Sequence, residues 1–429
     1  MVPDDDEHST LELQSGLPSA AASKPACLTV VACADGSVVG RHVWIGEGGE
    51  LKVGRNPEEG LKLGDPRVSR VQFRVGWDSR QGRHRFTDAG SRNGTFLNGR
   101  ALDSSVLNDG DVLRAGDTLL VFDYGDAMAE RRNQAARAAK SVLPVLLQGP
   151  TGTGKELLAR YIHEQSARSG AYVPVNCAAL PRELLAAELF GHTRGAFSGA
   201  AVSRPGLFAA AESGTLFLDE IGDMPLELQP SLLRAVELRT IRPVGADSEA
   251  TIDVRIVAAT NQDLDSACKA GRFRHDLHAR LAQIVIHLPA LTGRRREILA
   301  LLRTLAEREG AELTIEPDAA EAILLWEWPR NVRELEALVR SLVVVRGSTT
   351  LTLAELTELK ADVVEHLREE RAGADPAFGT EGNPLADRER LRELIERAAG
   401  NISQVARELG VTRAQVYRWM KRLGLSHKE

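Results

Sequence analysis

Hydrophobic and polar positions change rhythm three times along the chain. Between residues 25 and 125, short β-type runs (LTVVACA, HVWIG, LKVG, VQFRVGW, HRFTDA and TLLVFD) alternate with turn clusters such as NPEEG, DSRQGR, SRNG, LNGR and NDGD. Short strands separated at that rhythm predict an all-β sandwich. From 126 the runs become AERRNQAARAAKSV, LPVLLQG, KELLARYIHEQSA, TLFLDE and VRIVAATN. Helical periods alternating with continuous apolar strands predict an α/β layer on a parallel sheet over 126–294. Only Tyr124-Gly125-Asp126 separates the two. The pattern from about 295 to 346 is helical throughout, and this helical unit is expected to run to 365. Residues 366–385, containing RAGADPAFGTEGNPL, read as a linker, and 386–429 as short helices in an all-α unit. The polar, Ser/Ala-rich residues 1–24 are expected to be disordered.

Composition narrows the class. A chain of 429 residues suits two to four domains, and 43% hydrophobic with 27% charged residues suits a globular protein. No apolar run reaches the roughly 20 residues that span a bilayer. The start, MVPDDDEHST, is acidic where a signal peptide is basic, so a cytoplasmic protein without a membrane partner is expected. Cys27, Cys33, Cys177 and Cys268 form no CxxC pair and read as reduced thiols rather than a metal site. The net charge of −6 requires any nucleic-acid contact to come from a local basic patch.

Three stretches carry phosphate chemistry. GPTGTGK places Gly149, Pro150, Thr151, Gly152, Thr153, Gly154 and Lys155 between a buried strand and a helix. Backbone N–H groups and the helix N-terminus there can wrap phosphate oxygens while Lys155 reaches the outer phosphates, so ATP is the expected ligand. Glu156 stands where the generic motif has Ser or Thr. GTLFLDE ends an apolar strand in Asp219-Glu220, one carboxylate suited to Mg²⁺ and the other to polarising water. VRIVAATN ends in Asn261, placed to sense the γ-phosphate. Between Glu188 and Ala200, ELFGHTRGAFSGA flanks Phe197 with glycines, which directs an aromatic ring outward on a turn.

Residues 126–346 resemble the AAA+ domain of bacterial enhancer-binding proteins, the activators of sigma-54 RNA polymerase. NCAAL (176–180), ELFGHTRGAFSGA, GTLFLDEIG (214–222), AATNQDL (258–264), GRFRHDLHARL (271–281) and WPRNVREL (328–335) carry the resemblance, and Glu156 is itself a family mark. The likeness implies that Lys155 binds phosphate, Asp219 holds Mg²⁺, Glu220 positions water and Asn176 restrains that glutamate. It implies that Arg274 and Arg280 face a neighbouring subunit's nucleotide, that Arg333 reads phosphates from the lid, and that the chain forms a hexameric ring. An arginine supplied from outside can stabilise charge spread over the transferring phosphoryl group. Gly195, Ala196, Phe197, Ser198, Gly199 and Ala200 then form the loop that contacts sigma-54, with Ser198 for the usual Thr. DLHARL, RNVREL and LPALTGR depart from the family's DLYYRL, GNVREL and LPPLRER without removing a catalytic group.

The sandwich brings VGRNPE, PRVSRVQF and SRNGTFLNG into loops at one end. Arg55, Ser69 and Arg70 offer charge-assisted donors for a dianionic phosphate, and Asn93 can grip a peptide backbone. The order GR, SR and NGT-x-x-NG resembles a forkhead-associated (FHA) domain, which implies recognition of a phosphothreonine peptide from a Ser/Thr kinase pathway. Gln72 replaces the family's His; its amide can still hydrogen-bond locally, so the loop is expected to survive with lower affinity.

NISQVARELGVTRAQVYRWMKRLGL (401–425) reads as helix, turn, helix with Ala406, Leu409, Val411, Val416 and Met420 as its apolar seam and Thr412 as a cap. From Gly400 to Lys428 six basic residues face the single acidic Glu408, a net of +5. This resembles the Fis-type helix-turn-helix on double-stranded DNA, with Arg413 and Gln415 as base-reading candidates, Arg418 and Lys421 toward the phosphate backbone, and Arg422 also on the DNA-facing side. The combined expectation is an ATP-hydrolysing activator that remodels sigma-54 polymerase under phosphothreonine control. A DNA-binding repressor or phosphopeptide adaptor with a vestigial ATPase is the alternative.

Overall fold

The computed structural model describes residues 25–197, 200–372, 384–398, and Ile402, Val405, Val416, Trp419, Met420 and Leu425. The chain forms a β-sandwich, then a parallel α/β layer, then a helical lid.

The sandwich consists of two sheets. One runs, neighbour by neighbour, His42–Ile45, Ala26–Ala32, Thr118–Tyr124, Asp111–Ala115, Phe96–Leu97 and Arg100–Ala101. The other runs Leu61–Lys62, Glu50–Gly54, Phe73–Asp78, Arg83–Asp88 and Ser104–Val106. Five strands absent from the sequence reading appear here. Four of them have two or three residues, too short for an alternation to register, and Asp111–Ala115 is buried almost throughout and so lacks one.

That lack of alternation has a cause. Leu28, Val30, Leu113, Ala115, Leu120 and Phe122 point into the sandwich core. Val31, Val112, Leu119 and Val121, on the opposite pleat of the same strands, join the core of the lid with Ile298, Leu302 and Ile323. One sheet therefore has both faces buried, and the sandwich and the lid share a hydrophobic core. Ion pairs surround this contact. Arg114 reaches Asp318 at 2.7 Å and Glu321 at 2.5 Å, and Arg100 reaches Glu370 at 2.9 Å. Arg295 donates to the Gly110 carbonyl at 2.9 Å. Truncating Leu119, fully buried at the seam, to alanine should cost about 2–5 kcal/mol. The check is chemical denaturation, which should show the sandwich and lid losing stability together.

The α/β layer has five parallel strands in the order Tyr172–Asn176, Thr215–Asp219, Arg255–Thr260, Val145–Gln148 and Ile284–His287. Leu146, Leu216, Leu218, Ile256 and Ala258 face one helical layer, and Val145, Leu147, Phe217, Val257 and Ala259 face the other. The strands' C-terminal ends carry Gln148, Asp219 and Thr260, which gathers the polar groups at one edge.

The lid differs in two places from a purely helical reading. Thr314–Ile315 pairs in parallel with Thr350–Leu351, and Ser341–Val345 is a π-helical turn. Its last helix, Ala361–Ala372, also runs beyond the expected boundary at 365 and into the expected linker. At the C-terminal end Leu391, Leu394, Ala398, Ile402, Val405, Val416, Trp419 and Met420 form a small core. Val416 and Met420 belong to the expected seam; Ile402, Val405 and Trp419 are additions to it. Ala406, Leu409, Val411 and Thr412 lie outside the described residues, as do residues 1–24 and most of the expected linker.

The junction at 124–126 is electrostatically loaded. Arg296 pairs with Asp126 at 2.5 Å and lies 3.9 Å from Asp123. Burial, reinforced by Asp109, Asp126 and Glu297 and opposed by Arg296, pushes the Asp123 carboxyl up to about 7. A raised folded-state value means that the stabilising protonated form is fully present below the unfolded value. Stability is then lost as pH climbs from about 4 through about 7. Asp123→Asn should remove that slope, worth at most roughly 4 kcal/mol. Unfolding midpoints at pH 5 and pH 8 for both proteins test this.

Candidate functional site

The chain between strand Val145–Gln148 and helix Lys155–Glu164 wraps a pocket of about 240 Å³ lined by Lys155, Asp219, Glu220, Arg308, Arg333 and Glu336, among others. Gly152 has φ of +78°, and a Cβ there would stand 2.3 Å from the Arg330 carbonyl oxygen, so only glycine lets the lid approach the loop. Thr153 Oγ1 donates to the Pro150 carbonyl at 2.9 Å and pins the turn. Lys155 is buried, its Nζ donating to the Gly149 carbonyl at 2.9 Å and the Pro150 carbonyl at 3.3 Å. Burial pulls its pKa down, while Glu220 and Asp219 pull it up and Arg333 pulls it down. Glu156 is exposed at the start of the helix beside the pocket.

The acidic pair closes the other side. Asp219 ends its strand, and Glu220 sits in the left-handed region at φ 49°, ψ 50°, a costly conformation for a residue with a Cβ. Glu220 Oε2 accepts from the Asn261 backbone N–H at 3.3 Å, and Asn261 Nδ2 donates to Thr151 Oγ1 at 2.8 Å. Asn261 thus ties the glutamate to the phosphate loop. Asn176 reaches Asp219 Oδ2, at 3.5 Å, rather than Glu220, and its Oδ1 accepts from the Ala178 N–H at 2.9 Å. The sequence expectation paired it with Glu220; the parallel register sets Asn176 opposite Asp219 instead. Carboxylate oxygens at this edge, open to water and to phosphate, suit the oxygen-only coordination of Mg²⁺.

Sequence reasoning missed the residues that join lid to loop. Asn331, 2% exposed with φ 52°, ψ −133°, donates from Nδ2 to the Thr151 carbonyl at 2.9 Å and accepts the Leu291 N–H at 2.7 Å. The Val332 N–H donates to the Gly152 carbonyl at 2.9 Å, and buried Arg294 donates to the Thr153 carbonyl at 2.7 Å. Asn331 lies in WPRNVREL and Arg294 in LPALTGR, but neither motif announces a role toward main-chain carbonyls.

Arg274 and Arg280 stand away from this pocket. Arg274 forms a bidentate pair with Asp276, at 3.0 and 2.7 Å, and Arg280 pairs with Glu237. Both guanidiniums are about half exposed, at 43% and 54%.

Of the loop stretch, Glu188-Leu189-Phe190 is not turn but the end of helix Arg182–Phe190. The Gly195 N–H donates to the Ala200 carbonyl at 2.8 Å and the Ala200 N–H to the Phe197 carbonyl at 3.0 Å, which closes a tight tip. Phe197 is 39% exposed, its ring meeting only the His192 edge at 5.1 Å among the described ring contacts. Ala196 packs near Gly245, while Ser198 and Gly199 lie outside the described residues.

In the sandwich, the loops that carry Arg55, Ser69, Arg70 and Asn93 are brought together. The Arg55 N–H donates to the Ser69 carbonyl at 2.8 Å and the Asn56 N–H to the Arg70 carbonyl at 3.1 Å. A Cβ on Gly54 would stand 2.3 Å from the Arg70 carbonyl, so glycine permits the approach. Arg55 and Arg70 are exposed. Gln72 is fully buried; Oε1 accepts from the Ser69 N–H at 2.9 Å and Nε2 donates to the Gly94 carbonyl at 2.8 Å. It supplies one acceptor and one donor, as a neutral imidazole would, and holds the loop in shape. Asn93 Nδ2 donates to the Arg67 carbonyl at 2.7 Å. Arg413, Gln415, Arg418, Lys421 and Arg422 lie outside the described residues.

Family models match in the order of these units: an FHA domain at 51–116, a sigma-54 interaction domain at 121–287, an AAA+ ATPase lid domain at 294–372 and a Fis-family bacterial regulatory protein at 384–423. Transcriptional regulatory protein GlrR of Escherichia coli (strain K12) is 41% identical over 295 residues, 67% of this chain and 64% of the relative. Regulatory protein AtoC of the same strain is 37% identical over 312 residues, 71% and 68% of the two chains. The crystal structure of NtrX from Brucella abortus in complex with ATP is 32% identical, covers 70% of this chain and 68% of that one, and has a TM-score of 0.50. The chain thus spans about two thirds of the length of these relatives. On the order of its domains and on these similarities, the chain belongs to the sigma-54-dependent transcriptional regulators, with an FHA domain ahead of the sigma-54 interaction domain and a Fis-type helix-turn-helix behind it.

Proposed function

We propose that the chain is an activator that binds double-stranded DNA upstream of a promoter, assembles into a hexameric ring and uses ATP hydrolysis to convert closed sigma-54 polymerase into open complex. Phosphothreonine recognition at Arg55, Ser69, Arg70 and Asn93 controls it. The observation that carries this reading is the incompleteness of the nucleotide pocket. Lys155, Asp219 and Glu220 are assembled, yet Arg274 and Arg280 sit on the exterior in exposed ion pairs. Exposed pairs are worth little, so a neighbouring subunit's nucleotide can claim either arginine at small cost.

Asp219 would hold Mg²⁺, which neutralises developing charge on the phosphates when bound. Glu220, held by the Asn261 N–H, accepts a proton from the attacking water. Lys155 stabilises the outer phosphates, and the loop's N–H groups orient them. Arg333, exposed at the start of helix Val332–Arg340, reaches the phosphates from the lid. Movement there is relayed through Asn331 to the loop. The protruding Phe197 applies the resulting displacement to sigma-54. In the solved relative NtrX, the nucleotide is ATP.

Mixing two disabled proteins tests the shared site. Glu220→Gln and Arg274→Ala should each hydrolyse ATP poorly alone. Combined in equal amounts, roughly a quarter of subunit boundaries pair an intact glutamate with an intact arginine, and turnover should recover in proportion. If mixing restores nothing, the arginine does not act across a boundary. Turnover without open-complex formation would favour the repressor.

A further inference from the structure

A cavity of about 630 Å³ lies between the sandwich and the lid, and it opens beside the loops that carry Arg55, Ser69, Arg70 and Asn93. Arg67, Asn93 and Arg114 form its sandwich side; Asp318, Glu321 and Arg371 form its lid side. Asn93, the residue placed to hold a peptide backbone, is thus also part of this wall, so a peptide passing Asn93 is led toward the cavity. We propose that the cavity receives the acidic flank of the phosphothreonine peptide, with Arg371 of the AAA+ lid as a specificity residue, so that the recognition site is built jointly by two domains. This inference rests on the phosphothreonine reading above.

The inventory of hydrogen-bond donors and acceptors sets the preference. Glu321 is 1% exposed and accepts from both Arg114 and Arg371, each at 2.5 Å. Asp318 likewise accepts from both, at 2.7 and 2.6 Å. Asp318, Glu321 and Asp117 balance Arg114, Arg371 and Arg67 in formal charge, and Asp318 and Glu321 each already have two charged donors. The arginines retain spare capacity. Among the described residues Arg371 spends one nitrogen, Nη2, on both carboxylates, and its side chain is 37% exposed. Arg67 pairs through Nη1 with Asp117 at 2.8 Å and is 66% exposed. A guanidinium has five N–H donors, so unclaimed donors outnumber unclaimed acceptors here, which favours carboxylate or phosphate oxygens. The approach of the two domains is close: a Cβ on Gly99 would lie 3.5 Å from the Arg371 side chain.

The test uses the full chain and two fluorescein-labelled phosphothreonine peptide pools, one with Asp/Glu flanks and one with Asn/Gln flanks, varied on each side in turn. Fluorescence anisotropy should show the acidic pool binding about 5- to 10-fold tighter on one side, an advantage that shrinks with added salt. Arg371→Gln should erase that advantage and leave affinity for the neutral pool nearly unchanged. Arg296→Gln, which loosens the domain contact away from the cavity, should leave the advantage intact. An equal preference in wild type and Arg371→Gln, or no preference at all, overturns the inference while phosphothreonine recognition stands. Equal binding of unphosphorylated pools would instead remove the phosphothreonine reading, and this inference with it.

Discussion

Lys155→Ala should reduce ATP turnover by on the order of 10²–10³-fold, the scale set by removing one preorganised charge donor from a transferring group. The ammonium is buried, held by two loop carbonyls at 2.9 and 3.3 Å, and faces the Asp219–Glu220 side of the pocket. The two carbonyls take two of its three N–H donors and fix its position, so its removal should cost more than that of an exposed lysine. Alanine leaves the Gly149 and Pro150 carbonyls without this donor, so a thermal melt must accompany the kinetics. A folded protein with at least a hundredfold loss fits the assignment, whereas near-normal turnover would take Lys155 out of the site.

Phe197→Ala should lower promoter opening at least about tenfold while basal ATP turnover changes less than about twofold. The ring is exposed, rests on the His192 edge and belongs to none of the hydrophobic core clusters, so its loss leaves the fold intact. A large exposed aromatic on a tight tip marks a contact surface, and truncating such an anchor removes most of what it contributes. Heparin-resistant complex formation on a sigma-54 promoter, measured alongside phosphate release, separates the two effects. Full promoter opening by the variant would detach this loop from the polymerase.

The parts legible in the sequence are those whose chemistry needs particular residues at fixed spacing. GPTGTGK and the Asp219-Glu220 strand end fall on the expected loop and strand edge, because phosphate wrapping demands glycine and a helix start in that order. Gln72 was legible as a departure from the family's His that can still hydrogen-bond locally. Its amide offers both an acceptor and a donor, so the loop it anchors keeps its shape. Asn331 and Arg294 bind main-chain carbonyls, a role that the motifs containing them do not announce. The face through which the sandwich meets the lid was written but unread. The run TLLVFD lacks the polar alternation of a half-exposed strand because Leu119 and Val121 face the lid while Leu120 and Phe122 face the sandwich. A strand apolar on both pleats in an antiparallel sheet signals a second partner.

The central claim is that hydrolysis at Glu220 drives the change that opens the promoter. Glu220→Gln keeps the side chain's shape and removes the base, so ATP should still bind while turnover falls. The decisive measurement is open-complex formation by this variant on a sigma-54 promoter with saturating ATP. The account predicts opening reduced to the level seen without nucleotide. Opening at the wild-type rate would contradict it.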